Sequence, residues 1–314
     1  MTSSKKIAVV GAGNWGINLV RNFRDLGVLT HVADPEAKHR DRAAMEAPDA
    51  QLLDDYYPLL DSDVDAVAIS TPAPTHFEIA KAFLGAGKDV FVEKPMTMTS
   101  AEAEDLVKTA DANSLILMVG HLLLYQPAIQ FLKKYIDEGK LGKIYHLHQE
   151  RLKLGRARYV ENVTWSLGVH DIAVLLFLAG SSPCYAYASG HCGLQKSVED
   201  DVYVHMEFLN GTKAHLHISW LWPENRRGLK VIGEKGMLVH DEIARTVTLH
   251  RKTIDSDLNH HDDGEELIFQ TDDAQPLLCE LAHFVHCLTT RTPPISNGRN
   301  GVAVISVLER VMMF

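Results

Sequence analysis

The motif GAGNWG at residues 11–16 constrains the fold more than any other stretch of the chain. It follows Ile7–Val10, a short apolar and largely β-branched run that predicts a strand buried on both faces. Apolar residues at helical spacing come next, from Trp15 to Leu26, so the motif predicts a turn between a strand and a helix. In such a turn the first glycine permits a tight bend, the second leaves room for an anion beside the backbone, and the third allows close packing.

This turn predicts a dinucleotide site, because free N–H groups at the start of a helix face an anion. The second predicted strand ends at Asp34, where a carboxylate accepts hydrogen bonds from ribose hydroxyls and repels a 2′-phosphate. The sequence therefore favours NAD over NADP, although a plain strand–helix turn is the alternative interpretation. The predicted cofactor-binding residues are Gly11, Gly13, Asn14, Trp15, Gly16, Asp34, Thr71, Pro72, His76, Glu93 and Lys94.

Strands and helices alternate through residues 1–121. Further apolar runs predict strands that end at residues 71–72, 93–95 and 120–121, with helical segments between them. Such alternation is typical of a parallel, doubly wound sheet of the Rossmann type. Ligands bind beyond the carboxyl ends of the strands in these sheets. We therefore expect the glycine turn and the sequence Glu93-Lys94-Pro95 to open onto one crevice.

The pattern changes in residues 122–314. Two helices and a long strand come first, and strands then follow one another from residue 185 to about residue 270, with a hairpin turn at Asn210-Gly211. This predicts a C-terminal α+β domain with a large, mostly antiparallel open sheet. The fold class is thus α/β, with an N-terminal Rossmann domain and a second domain for substrate binding. An open sheet face also suggests a homo-dimer or tetramer formed through it.

Composition excludes several kinds of partner. The net charge of −10 and the pI near 5.9 argue against nucleic acid or an anionic membrane surface as a partner. The four cysteines include no C-x-x-C pair, which is typical of reduced thiols in a cytoplasm. We expect a cytoplasmic protein, without a signal peptide or a membrane-spanning segment.

Glu93-Lys94-Pro95 after a leading dinucleotide fold resembles the glucose–fructose oxidoreductase / inositol dehydrogenase (Gfo/Idh/MocA) family over essentially the whole chain. The stretches at residues 120–158 and 165–180 look like its nucleotide-sugar branch. The resemblance implies that Lys94 sits beside the nicotinamide, where an ammonium group stabilises alkoxide character on the reacting oxygen. The alternative for Lys94 is a surface lysine at a strand end.

His170 is the second predicted catalytic residue, because an imidazole suits acid–base work near neutral pH. A core or positioning histidine is the alternative. Family members usually carry an aspartate four residues before this histidine, and this chain has Ser166 there. Serine cannot hold the negative charge, so the departure leaves a cofactor-binding protein without turnover as a further alternative.

The predicted substrate-binding residues surround an arginine-rich stretch, since guanidinium groups bind phosphate or carboxylate in bidentate fashion. A solvated basic loop is the alternative for that stretch. Two histidines, His215 and His217, share one strand face, but no third ligand is evident and no metal is predicted. The substrate-binding set is Tyr125, Arg151, Arg156, Arg158, Asn162, Trp165, Ser166, His170 and Asp171.

These features predict an NAD-dependent oxidoreductase that transfers hydride between a secondary alcohol of a sugar and the nicotinamide. An anionic, nucleotide-linked sugar such as a UDP-N-acetylhexosaminuronate is the predicted substrate class. A free polyol, an inositol or a free sugar is the alternative among substrates. A non-catalytic, NAD-binding regulator is the alternative among functions.

Overall fold

A computed structural model describes residues 5–155, 161–271 and 275–311. Contacts divide the described chain into two compact units. The first comprises the chain up to Leu122 together with Gln275–Ile305, and the second comprises the remaining described residues from Leu123 onward. No helix among the described residues is long and apolar enough to cross a membrane.

The first unit contains a parallel sheet whose six strands have the order β3-β2-β1-β4-β5-β6. This is the predicted doubly wound arrangement. Four of its strands, those at Ile7–Val10, Ala66–Ile69, Asp89–Glu93 and Leu117–Gly120, are buried along their whole length, as their apolar runs predict. The strands are β1 (Ile7–Val10), β2 (Leu29–Ala33), β3 (Gln51–Leu53), β4 (Ala66–Ile69), β5 (Asp89–Glu93) and β6 (Leu117–Gly120). The helices between them are α1 (Gly16–Asp25), α2 (Ala37–Glu46), α3 (Tyr57–Leu60), α4 (His76–Gly85) and α5 (Ser100–Ala112).

The start of α5 carries a reciprocal cap, with Thr99 as the capping residue. The Thr99 hydroxyl accepts from the Glu102 backbone N–H, and the Glu102 carboxylate accepts from the Thr99 N–H. This reciprocal pair satisfies two of the free N–H groups at the helix start.

The second unit contains an eight-stranded sheet with the order β14-β13-β12-β11-β7-β10-β9-β8. Its pairing is antiparallel except between β7 and β10, which run parallel. The strands are β7 (Ile144–Leu154), β8 (Pro183–His191), β9 (Asp201–Phe208), β10 (Lys213–Ser219), β11 (Leu221–Gly233), β12 (Gly236–Asp241), β13 (Thr246–Ile254) and β14 (His260–Gln270). The helices are α6 (Pro127–Asp137) and α7 (Val169–Ala179).

The two faces of the large sheet differ in chemistry. Alternate residues of β9 and β10, such as Val204, Met206 and Leu216, are buried, and α7 packs against β7 and β10. The opposite face presents His205, His215 and several exposed tyrosines within the second unit. The homo-oligomer through this face stays a prediction.

Two helices close the chain, α8 (Pro276–Thr290) and α9 (Gly298–Val311). The sequence assigned both to the domain at residues 122–314, whereas Gln275–Ile305 packs with the first unit. Phe284 on α8 lies against Phe23 and Phe91, with ring centroids 6.5 and 5.7 Å away.

Candidate active site

Two glycines of the motif are required by packing. Gly11 has a φ of +92°, and a Cβ placed there would lie 2.7 Å from the Ser70 carbonyl oxygen. A Cβ at Gly16 would lie 2.0 Å from the Gly11 carbonyl oxygen. The first glycine therefore lets β1 turn beside the end of β4, and the last lets α1 start against that turn.

Gly13 has a different role, because nothing in the fold requires it to be small. A Cβ there would meet only the His39 Cε1, at 3.8 Å. The open side of this residue faces a cavity of about 600 Å³. Five of the predicted cofactor-binding residues line that cavity, namely Gly11, Gly13, Asp34, Thr71 and Pro72. A bare backbone beside a cavity of this size fits the pyrophosphate of a dinucleotide.

Asp34 anchors the turn as well as lining the cavity. Its Oδ2 accepts from the Ala12 N–H at 2.7 Å, and its Oδ1 accepts from the Glu36 N–H at 2.9 Å. His39 Nδ1 lies 3.1 Å from the same Oδ1. Oδ2 makes only the contact with Ala12 among these, so it can accept a further hydrogen bond from a ribose hydroxyl.

The strand end at β5 brings an acid and a base together. Glu93 is buried, Lys94 is half-buried, and the Lys94–Pro95 peptide is cis. Trp15 Nε1 donates to Glu93 Oε1 at 2.5 Å, which links the glycine turn to this strand end. Burial raises the pKa of Glu93 to about 7, against the opposing effects of Trp15 and Lys94.

His76, predicted to bind cofactor, has both ring nitrogens occupied by the main chain. Nδ1 lies 2.8 Å from the Pro95 carbonyl and Nε2 lies 2.9 Å from the Thr71 carbonyl. The ring is buried, and burial lowers its pKa. This geometry makes His76 a positioning residue that ties the ends of β4 and β5 together.

Two buried groups beside this strand end were not among the predicted site residues. His121 follows β6, and neither of its ring nitrogens has a hydrogen-bond partner among the described residues. Burial, and secondly the charge of Lys94, lower its pKa to about 4, so it is neutral near pH 7. Glu280 on α8 is buried likewise, and burial together with Glu93 raises its pKa well above the ordinary value. Glu280 was not predicted as a site residue because it lies far from Glu93 in the sequence.

In the second unit, the residues from Asn162 to His170 form one local structure. Asn162 Oδ1 accepts from the Trp165 N–H at 3.0 Å, and its Nδ2 donates to Glu199 at 3.0 Å. Ser166 is buried within a single π-helical turn, Thr164–Gly168. His170 follows in the first turn of α7 and is half-buried.

Arg151 and Asp171, predicted to bind substrate, bind each other instead. Arg151 is only 7% exposed, and its Nε donates to both Asp171 oxygens at 2.7 and 2.8 Å. Its Nη2 also lies 3.3 Å from Glu242. Burial raises the pKa of Asp171, and Arg151 opposes that rise. The predicted anion-binding role of Arg151 is therefore corrected, because its charge is neutralised inside the fold.

The remaining predicted substrate residues fall in two groups. Tyr125 is buried, at 6% exposure, in a short 3₁₀ turn, Leu122–Tyr125. Arg156 and Arg158 lie outside the described residues. The anionic subsite predicted from the arginine-rich stretch therefore stays a prediction for those two positions.

The role of Gly13 can be tested with one methyl group. We expect Gly13→Ala to fold normally, because the new Cβ meets only one atom, at 3.8 Å. The dissociation constant for NAD should rise at least about 10-fold, or about 1.4 kcal/mol, as the methyl group enters the phosphate cradle. Calorimetric titration measures this, with Gly85→Ala as the control, since a Cβ at Gly85 meets nothing within 4 Å. Equal NAD affinity in both variants would contradict the assignment.

Glu93 should make stability depend on pH. Its pKa is raised from the ordinary value of 4.5 to about 7, so the folded state holds the proton more tightly than the unfolded state. The stability advantage of the protonated acid is present below pH 4.5 and is lost as pH rises towards 7, by on the order of 3 kcal/mol. Relative to wild type, Glu93→Gln should therefore gain stability over this window in urea unfolding. Exposed Glu104→Gln is the control, and parallel pH profiles for wild type and Glu93→Gln would refute the burial effect.

Fold and cavity together define the class of protein, a dinucleotide-binding protein built on a Rossmann domain. A model of an oxidoreductase family with an NAD-binding Rossmann fold matches residues 5–121. A model of the GFO/IDH/MocA C-terminal domain matches residues 129–239. The chain therefore belongs to the Gfo/Idh/MocA family, which confirms the resemblance, and it is an oxidoreductase acting on CH–OH groups.

Similar proteins align with about three quarters of the chain or more. UDP-N-acetylglucosamine 3-dehydrogenase of Acidithiobacillus ferrooxidans is 28% identical, over 98% of this chain and 96% of its own length. A solved structure of that enzyme superposes with a TM-score of 0.87 at 26% identity, covering 98% of this chain and 96% of its own. The 1,5-anhydro-D-fructose reductase of Ensifer adhaerens is 30% identical over 77% of this chain and 74% of its length.

Proposed function

We propose that this chain oxidises a secondary alcohol of a nucleotide-linked sugar, with NAD as the hydride acceptor. The observation that carries the proposal is the cluster at the strand ends of the first unit. There the bare Gly13 backbone and Asp34 line one cavity, and Trp15 of the same turn is hydrogen-bonded to Glu93, next to Lys94. A relative that aligns with 98% of this chain is named a UDP-N-acetylglucosamine 3-dehydrogenase, and this supports the proposed substrate class. An N-acetylhexosamine or its uronate, linked to UDP, is the proposed substrate.

Lys94 holds the reacting oxygen in this proposal. Bound NAD supplies a nicotinamide ring that accepts hydride from a carbinol carbon. The Lys94 ammonium donates a hydrogen bond to the alcohol oxygen and stabilises the negative charge that develops there. The Glu93 carboxyl group is held in place by its hydrogen bond from Trp15, and its pKa of about 7 leaves it half-protonated near pH 7. Lys94 therefore lies next to a partial negative charge on Glu93 rather than a full one. A base must accept the hydroxyl proton as the hydride leaves, and His170 stays the predicted acceptor, with Ser166 in place of an aspartate.

The direct test is the reduced-nicotinamide absorbance band. Purified protein and NAD are mixed with UDP-N-acetylglucosamine, its uronate, free hexoses and inositols. Growth of the band with the UDP-linked sugars alone supports the proposal. The reverse reaction, from a keto-sugar and reduced cofactor, is followed as loss of the same band. Binding of NAD without any change in the band across the panel would favour the non-catalytic regulator.

A free polyol is the second candidate substrate, and two observations favour it. Arg151 is neutralised within the fold, which removes one of the cations predicted to hold an anionic substrate. A further relative, the scyllo-inositol 2-dehydrogenase (NAD(+)) of Bacillus subtilis, is 27% identical over 94% of this chain. Growth of the absorbance band with inositols and not with UDP-sugars would select this candidate.

The preference for NAD over NADP rests on Asp34. We expect Asp34→Asn to raise the dissociation constant of NAD about 10-fold or more, because hydrogen bonds to a charged acceptor are lost. The ratio of NADP to NAD dissociation constants should fall, because the charge that repels a 2′-phosphate is gone. Titration with each cofactor measures both changes, and exposed Asp49→Asn is the control. A wild type that binds NADP more tightly than NAD would overturn the assignment.

A further inference from the structure

The open face of the large sheet gathers histidines from neighbouring central strands. His146 and His148 are two residues apart on β7, so both side chains lie on one face. His215 on β10 is the register partner of His148, and its ring centroid lies 4.6 Å from that of His146. One ligand nitrogen from each of the three rings lies within 4.8 Å of the others. The sheet thus places three imidazoles around one point.

We propose that His146, His148 and His215 bind one divalent transition-metal ion of the zinc type. Imidazole nitrogen is a preferred ligand of zinc, copper and nickel, and it is a poor ligand for magnesium or calcium. Two zinc–nitrogen bonds of about 2.0 Å in a tetrahedral site place their nitrogens about 3.3 Å apart. The three rings reach this spacing through small side-chain rotations, because they start within 4.8 Å.

The strands that carry the ligands favour a preformed site. β7 and β10 lie side by side inside the eight-stranded sheet, paired in register from Lys213 to Ser219. Rigid strands hold ligand positions more accurately than loops. The fourth coordination position faces the open side of the sheet, because His215 is exposed and the other two ligands are half-buried. A water molecule or a further histidine completes a tetrahedral ion there.

His205 on β9 is one candidate for that fourth position. It is the register partner of His215, and the two ring centroids lie 4.7 Å apart. Its Nδ1 is buried without a hydrogen-bond partner among the described residues. Its Nε2 lies 3.2 Å from Glu207, the kind of outer contact that orients a metal-binding imidazole.

The charges around the cluster permit a cation. The Glu150 carboxylate lies 3.9 Å from His148 Nε2 and places a negative charge beside the cluster. The two nearby lysines have acidic partners, since Lys213 lies 3.0 Å from Glu207 and Lys230 lies 3.8 Å from Glu150.

This proposal departs from the sequence-based prediction of no metal. The prediction was based on His215 and His217, which lie on one strand, and on the lack of an evident third ligand in the sequence. The missing ligands come from β7, nearly 70 residues earlier in the chain, and only the parallel pairing with β10 brings them together. His217 lies elsewhere on the face, stacked on Tyr203 at 3.8 Å.

A competition titration tests the site. Full-length protein stripped with a chelator is mixed with Zn²⁺ and a chromogenic chelator at about pH 7.5, where imidazoles are neutral. We expect one ion per chain, with binding weakened at least about 100-fold in His146→Gln and in His215→Gln. His260→Gln, an exposed strand histidine of the same unit, should bind as wild type does. Failure of the wild type to hold Zn²⁺ against the chelator, or equal binding by all variants, overturns the proposal.

A second measurement needs no variant and so does not depend on how the variants fold. Histidines of the wild type are acylated with diethyl pyrocarbonate, with and without one equivalent of Zn²⁺, and mapped by mass spectrometry. We expect Zn²⁺ to protect His146, His148 and His215 at least about 10-fold while leaving His260 unchanged. Uniform modification in both samples, or protection of His260 alone, overturns the proposal.

Discussion

Lys94→Ala should lower kcat on the order of 10³-fold while leaving NAD bound. The ammonium group is the proposed donor to the reacting oxygen, and removal of one such donor costs about 10²–10³-fold. The cavity proposed to hold the cofactor is lined by other residues, including Gly13 and Asp34, so NAD affinity should change little. Steady-state kinetics and calorimetric titration with NAD measure the two quantities separately.

The control for Lys94 is a lysine of the same unit with a purely surface role. Lys81 is exposed and lies 2.6 Å from Asp105. We expect Lys81→Ala to retain wild-type kcat and NAD affinity, since exposed ion pairs contribute little. Turnover near the wild-type value in Lys94→Ala would remove the lysine from the mechanism. Loss of NAD binding together with turnover would instead make it a cofactor ligand.

Asp171→Asn should lower the free energy of unfolding by about 3 kcal/mol or more. The change leaves the buried Arg151 guanidinium without its nearest anion, and an uncompensated buried charge typically costs about 3–5 kcal/mol. Glu242, 3.3 Å from Arg151, offsets part of this loss. Urea unfolding followed by circular dichroism measures the change.

An exposed ion pair of the same length supplies the control for Asp171. Arg151–Asp171 is 2.7 Å long and Lys81–Asp105 is 2.6 Å long, so the two pairs differ chiefly in burial. Asp105→Asn should cost less than about 1 kcal/mol. If Asp171 instead bound substrate, Asp171→Asn would raise KM without a comparable loss of stability.

The first unit was largely predictable because its signals are local. Strand, glycine turn and helix follow one another within residues 7–25, and Gly11 and Gly16 have steric reasons that their spacing in the motif predicts. Parallel alternation then places every strand end on one edge of the sheet. This is why Gly13, Asp34 and Thr71, distant in sequence, line one cavity as expected.

The second unit was harder to predict because its contacts are long-range. Nothing in the sequence around Arg151 indicates that its guanidinium group is buried in an ion pair. Only the packing of α7 on β7 brings Asp171 into contact with it. His146 and His215 become neighbours only through a parallel pairing inside an otherwise antiparallel sheet. In the first unit, Glu280 was missed because its burial beside Glu93 cannot be inferred from its local sequence, whereas His121 stands at a predicted strand end and was not assigned a role.

The most direct test of sugar oxidation assisted by Lys94 is to follow the reduced-nicotinamide band in wild type and Lys94→Ala side by side. Each protein is mixed with NAD and UDP-N-acetylglucosamine or its uronate, after NAD binding has been verified. We expect the band to grow with the wild type, and its rate of growth to be lower by on the order of 10³-fold with the variant. Equal rates in the two proteins, or no change in the wild type with any sugar in either direction, would contradict this expectation.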